Sequence, residues 1–376
     1  MNLKPCRDQL CELSQVALLR LSRVNRYVSV LVFFLALSTT VYSQADVPEN
    51  PLFASDEILE IHLSGDVRSL MLDRTNDAPY YPMTLTYQDQ GQDHKVPLKV
   101  RTRGHFRLDA MNCTYPPLML NFSKKTELPA PFTNQDKIKL VTPCKAEKYV
   151  VQEYLVYKVY NLITPKSLKA RLTKFVLHDT IKGKTAQPLY GVLLEDDDDM
   201  ALRNGAFITE RKAIKPEATV RDDFLKMAVF EYLIGNTDWS VQYQQNIELI
   251  VPDSTSLPST VAYDFDHAGI VRAPYAKPAP ELRLGSTLTR RYRGFCVNDM
   301  AEFEEVFALF NSLKDKIYAV YSGNPLLDEK YISSTIKFLD EFYATINDSA
   351  KAKKEFLYPC DKNGTGNVVI KGLQNN

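Results

Sequence analysis

The chain has 376 residues, 45% of them hydrophobic and 24% charged, enough to bury a large core in one big domain or two. Its 46 basic and 46 acidic residues give a formal net charge of zero. That balance removes any bulk electrostatic argument for nucleic acid or an acidic lipid surface as partner.

Residues 1–43 read as an export signal. Arg20, Arg23 and Arg26 precede the run 28–37, VSVLVFFLAL, and Val41 and Ser43 stand at the −3 and −1 positions of a cut before Gln44. Ten apolar residues span about 15 Å as a helix, short for a bilayer core. The alternative is an uncleaved signal-anchor whose helix also uses residues 38–42, which would be the chain's one tie to a membrane. Either way the chain is expected outside the cytoplasm, secreted or in the periplasm or cell envelope. Residues 44–56, QADVPENPLFASD, read as a polar linker.

Strands are expected at 58–65, 81–89, 95–104, 116–124 and 136–143, from apolar alternation punctuated by Gly, Asn and Pro, with a short helix at 66–72. Residues 149–163, YVVQEYLVYKVYNLI, are apolar all round at helical spacing and read as a buried helix ended by Pro165. Strands at 171–179 and 189–196 follow, then four aspartates, Asp196–Asp199, that read as a solvated acidic loop. Residues 220–234 form a helix whose Asp222 and Asp223 suit its positive N-terminal end. A polar loop at 235–245, strands at 246–251 and 260–266, and helices at 300–321 and 330–346 complete the chain. This order of elements is that of an α+β, bilobal protein-kinase-like fold. It places an antiparallel β-rich N-terminal lobe at 57–199 and a mainly helical C-terminal lobe at 200–376.

Once the signal is removed, Cys113, Cys144, Cys296 and Cys360 remain, an even number in an oxidising compartment. Proximity along the chain favours Cys113 with Cys144 and Cys296 with Cys360, one of three possible pairings. No Cys-x-x-Cys or Cys-x-x-His spacing supports zinc, and the five histidines contain no His-Glu-x-x-His.

The loop GNTDWSVQYQQN, 235–246, places an Asp and an Asn at the mouth of an apolar strand. Phosphoryl transfer asks for positioning and charge neutralisation, and hard divalent cations ask for oxygen ligands. In the kinase arrangement a loop Asp serves the acceptor, an Asn further on holds metal, and an Asp after the next strand pair holds metal too. The matching positions are Asp238, Asn246 and Asp264. Asp266 shares a face with Asp264 if the strand persists, so both could reach one cation. Two neighbouring carboxylates repel unless a cation compensates. Each residue also has a plainer reading: Asp238 and Asn246 as turn residues, Arg101 and Arg103 as partners in cross-sheet ion pairs, Trp239 as packing.

GNTDW…QQN followed by VAYDFDHAG resembles the catalytic segments of the spore-coat CotH family of secreted atypical kinases, and more distantly those of HipA-like kinases. LKVRTRGHFR (98–107) is similar to that family's Arg-x-Arg-Gly motif, and LYGVLLED (189–196) to its Gly-containing strand. The likeness covers roughly 58–275. It implies an ATP-dependent kinase using Mg²⁺ or Mn²⁺ and phosphorylating a hydroxyl of a protein or saccharide. Asp238 is then the catalytic-loop Asp, Asn246 and Asp264 metal ligands, and Glu153 the helix Glu that pairs with a phosphate-binding lysine. Two departures stand out. The strand PPLMLNF lacks the family's lysines, leaving Arg103, Lys137 or Lys139 to meet phosphate, and the Asp238–Asn246 gap is long. They keep open a catalytically inactive surface or envelope binding protein. Nucleotidyl transfer by the same ligands is a related possibility.

Overall fold

The computed structural model describes residues 50–357, apart from 126, 295 and 296; the segment 1–43 expected to be an export signal, Cys296 and Cys360 lie outside the described residues. Alternation sets the inward faces of the first strands. In β1 (Leu59–Gly65) Leu59, Ile61 and Leu63 are buried, and in β2 (Tyr81–Asp89) Met83, Leu85 and Tyr87. After the short helix α1 (Val67–Leu72), β2 runs antiparallel to β1 and then to β3 (Gln92–Thr102). The ladder continues through β4 (Leu118–Phe122) and β5 (Lys137–Val141). Helix α2 (Glu147–Ile163) then leads to β6 (Ala170–Asp179), extended by the two-residue β7 (Lys184–Thr185), and to β8 (Leu189–Leu194). β8 lies between β5 and β6, and β6 returns to β1 in parallel, from Leu59↔Thr173 to Gly65↔Asp179.

That last pairing closes seven strands into a barrel and corrects the expected architecture. An open antiparallel β-rich lobe beside a helical lobe, the bilobal arrangement, does not accommodate a sheet closed by a parallel β1–β6 seam. β1 spends both of its edges, so the barrel has no free edge there. Its interior is filled by Ile61, Leu85, Leu98, Leu120, Phe132, Leu140 and Phe175, among others. The mixed α+β content itself is as expected.

A second apolar core unites α2, α4 (Arg221–Ile234), a three-stranded sheet and the C-terminal helices. The sheet runs in the order β11 (Ser259–Ala262), β10 (Ile247–Val251), β9 (Phe207–Ile208), the last following α3 (Asp197–Arg203). α2 is buried on nearly every side and packs against β8 and α5 (Glu304–Tyr321); α6 (Glu329–Ile346) and α7 (Ser349–Phe356) cover the far end. No helix among the described residues is long and apolar enough to cross a membrane.

Two local expectations change and a third holds. The four aspartates are not a loop: Asp196 caps α3, accepting from Asp198 N–H at 3.0 Å, and the next three fill the first turn, where carboxylates suit the helix dipole. β11 ends at Ala262, four residues before the expected end. Cys113 and Cys144 are joined as a disulfide, the pairing expected from chain proximity.

Candidate active site

α4 stops at Gly235, whose φ of 70° is open to glycine at little cost and whose N–H returns to the carbonyls of Glu231 and Tyr232. The chain turns at once. The Asn236 side-chain oxygen accepts from the Asp238 N–H at 3.0 Å, fixing Asp238 one step beyond the helix. The following residues form an excursion closed by a bridge between Ser240 and Gln245, with N–H···O distances of 2.9 and 3.0 Å. Asn246 is thereby brought back, and its amide donates to the Asp238 carbonyl at 2.7 Å and to Asp238 Oδ2 at 3.2 Å. The long gap between the two residues is therefore a closed side loop, and their side chains meet.

Asp264 lies just beyond β11 in left-handed backbone, φ 61°, with its N–H donated to the Tyr157 hydroxyl at 3.0 Å. Phe265 drives into the core against Tyr157 and Phe230, with ring centroids 4.7 and 5.4 Å away. Because the strand has ended, Asp264 and Asp266 do not simply share a strand face. Asp266 turns to Arg107, accepting from Nε at 3.0 Å and from Nη2 at 2.8 Å on one oxygen, and it also bonds the Tyr275 side chain. The Arg107 Nη2 donates in addition to Glu153 Oε2 at 2.9 Å. One buried guanidinium on the loop after β3 thus joins a carboxylate of α2 to one from the segment after β11.

The electrostatics follow from that sharing. Burial pulls Arg107 down, but Asp266 and Glu153 more than offset it and hold it well above the ordinary arginine value. Burial presses Asp266 upward, yet Arg107 and His267 outweigh it and leave the carboxyl lowered. Glu153, with the same guanidinium but a second carboxylate beside it, is pushed up to about 8, chiefly by burial. Asp264 is pushed up to about 6 by burial and by the negative charge of Asp266.

These groups open on one cavity of about 670 Å³ at the meeting of barrel and helices, with Asp238, Asn246, Asp264, Asp266 and Glu153 on its wall. Lys139 and Arg103 line it as well. The Lys139 Nζ is paired with Asp197 of α3 and lies 5.7 Å from the Tyr263 ring centroid. Among the described residues, neither Arg101 nor Arg103 has a carboxylate partner, so the cross-sheet ion pairs are not formed. Arg101 instead lies over the Tyr80 ring at 5.0 Å, its Nε buried without a hydrogen-bond partner. Met119, Val141 and Leu194 give the same cavity an apolar stretch.

Among the described residues no group of three or more His, Cys, Asp or Glu side chains is arranged to hold a metal ion by itself. The donor set agrees with that. Asp266 is committed to Arg107, leaving on the cavity wall the Asp264 carboxylate and the Asn246 side-chain oxygen, the latter accepting only a long bond of 3.4 Å from the Gln245 amide. One or two protein oxygens suit a small hard cation that completes its sphere with substrate phosphates and water, and do not suit a closed protein cage. The residues present fit a cation that arrives with a polyphosphate.

Arg107 is the residue that sequence reasoning missed. It stands in the quoted RTRGHFR, four positions after Arg103, and only the fold distinguishes it from the neighbouring cations. Tyr157 and Tyr275, which orient Asp264 and Asp266, and Asp197, which engages Lys139, were missed too; nothing in their spacing marks them.

No family model matches the sequence, and no curated protein matches it. Among solved structures, the crystal structure of the Helicobacter pylori proinflammatory kinase CtkA is similar over 68% of this chain and 96% of its own. The two are 13% identical, with a TM-score of 0.39, and a likeness that slight carries no argument about this chain.

Proposed function

We propose that the protein is a metal-dependent phosphotransferase that works outside the cytoplasm, moving the γ-phosphoryl group of ATP to a hydroxyl of a protein or saccharide. The observation that carries this reading is the convergence, in one cavity, of Asp238 and Asn246 from one segment with Asp264 and Asp266 from another, together with Arg101 and Arg103, which have no carboxylate partner among the described residues. The CotH-like motifs identified in the sequence fall on these same residues.

In this reading Asp264 and the Asn246 side-chain oxygen hold Mg²⁺ or Mn²⁺, which supplies charge neutralisation at the phosphate oxygens when bound. Arg103 meets phosphate on the opposite wall, and Lys139 and the apolar stretch beside it take the nucleoside end. Asp238 accepts the proton of the acceptor hydroxyl. The acceptor oxygen bonds to the γ-phosphorus, the bond to the β–γ bridging oxygen breaks, and ADP leaves with that electron pair. Arg107 holds Asp266 and Glu153, which fixes the backbone on either side of the site. The Cys113–Cys144 disulfide supports an oxidising compartment, consistent with export by residues 1–43.

A transfer assay tests the reading. Purified protein incubated with γ-labelled ATP and Mn²⁺ should label itself or an added hydroxyl acceptor, and Asp238→Asn should reduce the rate about 10²-fold or more. Absence of label from the wild type with either metal, in either compartmental redox state, would refute it.

A further inference from the structure

The sequence Arg290-Arg291-Tyr292-Arg293 is used by no step above, and two of its arginines are spent on the chain that enters the site. Arg290 stacks on Phe338 at 3.5 Å and donates to the Leu233 carbonyl at 3.2 Å, in the last turn of α4. Tyr292 is fully buried against Phe303 and Phe356, which fixes the stretch between the two arginines. Arg293 then reaches the loop itself. A single nitrogen, Nη1, donates to the carbonyl of Thr237 and to that of Trp239, the residues immediately before and after Asp238. Its guanidinium carbon lies 5.2 Å from the Trp239 ring centroid.

We propose that Arg293 is a positioning residue for Asp238: by pinning the carbonyls on both sides, it sets where the carboxylate stands in the cavity. The proposal rests on the phosphotransferase reading for its kinetic consequence, but not for its structural one. Three features support it. Arg293 does not line the cavity, so it acts on Asp238 through the backbone and not on a ligand. The Asn236 side chain holds the Asp238 N–H and the Asn246 amide its carbonyl, and Arg293 takes the two neighbouring carbonyls, those of Thr237 and Trp239. The Arg293 charge also falls among acidic side chains, Asp238 first and then Glu231 and Glu281, which offset part of the cost of its burial. A guanidinium suits the task because its rigid fork keeps its donors aimed without a further ordering cost.

Trp239 is the only tryptophan in the chain, so its fluorescence reports on this contact without any assay of activity. Arg293→Met removes the donors and the charge at similar volume, and Arg293→Lys restores a donor and a charge. Both are compared with wild type for acrylamide quenching of Trp239, and for kcat and the KM for ATP. The expected result for a folded Arg293→Met is at least twofold greater quenching and a kcat lower by about 10²-fold. Displacement of a catalytic group by about 1 Å has that effect. KM for ATP should stay within about threefold, and Arg293→Lys should recover part of both signals. Unchanged quenching and kcat in the Met variant, or a loss carried by KM with kcat intact, would overturn the proposal. If the wild type transfers no phosphoryl group, the phosphotransferase reading fails separately. Quenching alone then decides whether Arg293 holds the loop. Should the Met variant not fold, Arg293→Gln is read against the same criteria.

Discussion

Arg107 is shared between two buried carboxyl groups, and its removal should be costly. Its side chain and those of Glu153 and Asp266 are 9, 3 and 7% exposed, so no solvent replaces the guanidinium once it is gone. Removing one partner of a buried ion pair costs about 3–5 kcal/mol, because the surviving charge is left uncompensated. Here there are two survivors with different fates. Glu153 is already pushed up to about 8 and is largely protonated at neutral pH, so at pH 7 the cost of Arg107→Met falls mainly on Asp266, near about 3 kcal/mol. Without Arg107 the folded-state value for Glu153 rises further. A carboxyl raised in the folded state contributes stability that is complete below its unfolded value and is lost as pH climbs through its folded one. The wild type stops losing stability from Glu153 above about pH 8, whereas the variant goes on losing it. The Glu153 share of the Arg107→Met penalty should therefore stay level from pH 5 to pH 7 and grow by pH 9. Urea unfolding at pH 5, 7 and 9 measures it. Adding Glu153→Gln to Arg107→Met should restore stability already at pH 7 and restore more at pH 9. A loss below about 1 kcal/mol, or one equal at all three pH values, would refute the account of one guanidinium holding two buried carboxylates.

Asp264 carries the same sign. Pushed up to about 6, it costs the folded state stability as pH rises from about 4 to about 6, and Asp264→Asn should flatten the unfolding free energy over that window. Saturating ATP with Mn²⁺ should raise the melting temperature of the wild type. A hundredfold excess over Kd is worth about 2.7 kcal/mol, and Asp264→Ala should abolish the shift in differential scanning fluorimetry. Replacing Cys113 and Cys144 by Ser opens a closure of 31 residues and should lower the unfolding free energy by about 3–4 kcal/mol, read by denaturant titration of the oxidised and substituted proteins.

The strands and helices were legible because their apolar spacing is regular. Leu59, Ile61 and Leu63 announce the inward face of β1, and the all-round apolar residues of 149–163 announce α2. The barrel was not legible. Alternation fixes which side of a strand faces in, and says nothing about which strand lies at its edge. The parallel β1–β6 pairing joins segments separated by four other strands and two α-helices, and it is the single contact that separates a closed barrel from an open sheet. The end of β11 was misread for a local reason. Alternation in TVAYDFD continues to 266, but Asp264 leaves extended backbone so that Phe265 can bury its ring against Tyr157. Packing of one aromatic outweighed four residues of ladder.

The site divides along the same line. Asp238, Asn246, Asp264 and Asp266 could be picked out because oxygen donors clustered around apolar strands are unusual by type alone. The cation opposite them could not, since Arg101, Arg103, Arg107, Lys137 and Lys139 are equivalent on paper. The fold resolves the choice through reach. A strand lysine delivers one ammonium to one carboxylate, whereas Arg107, on a loop, sets a planar fork between two carboxylates that come from opposite sides. That loop is placed by fastenings of its own. The Arg74 guanidinium donates to the carbonyls of Leu108, Cys113 and Thr114, and the disulfide ties Cys113 to the residues leading into α2, the helix that carries Glu153. The lysines missing from PPLMLNF are thus not a vacancy in the charge balance around Glu153. The positive charge enters from the loop, and the cysteines that seemed only to speak of an oxidising compartment are part of what holds it there.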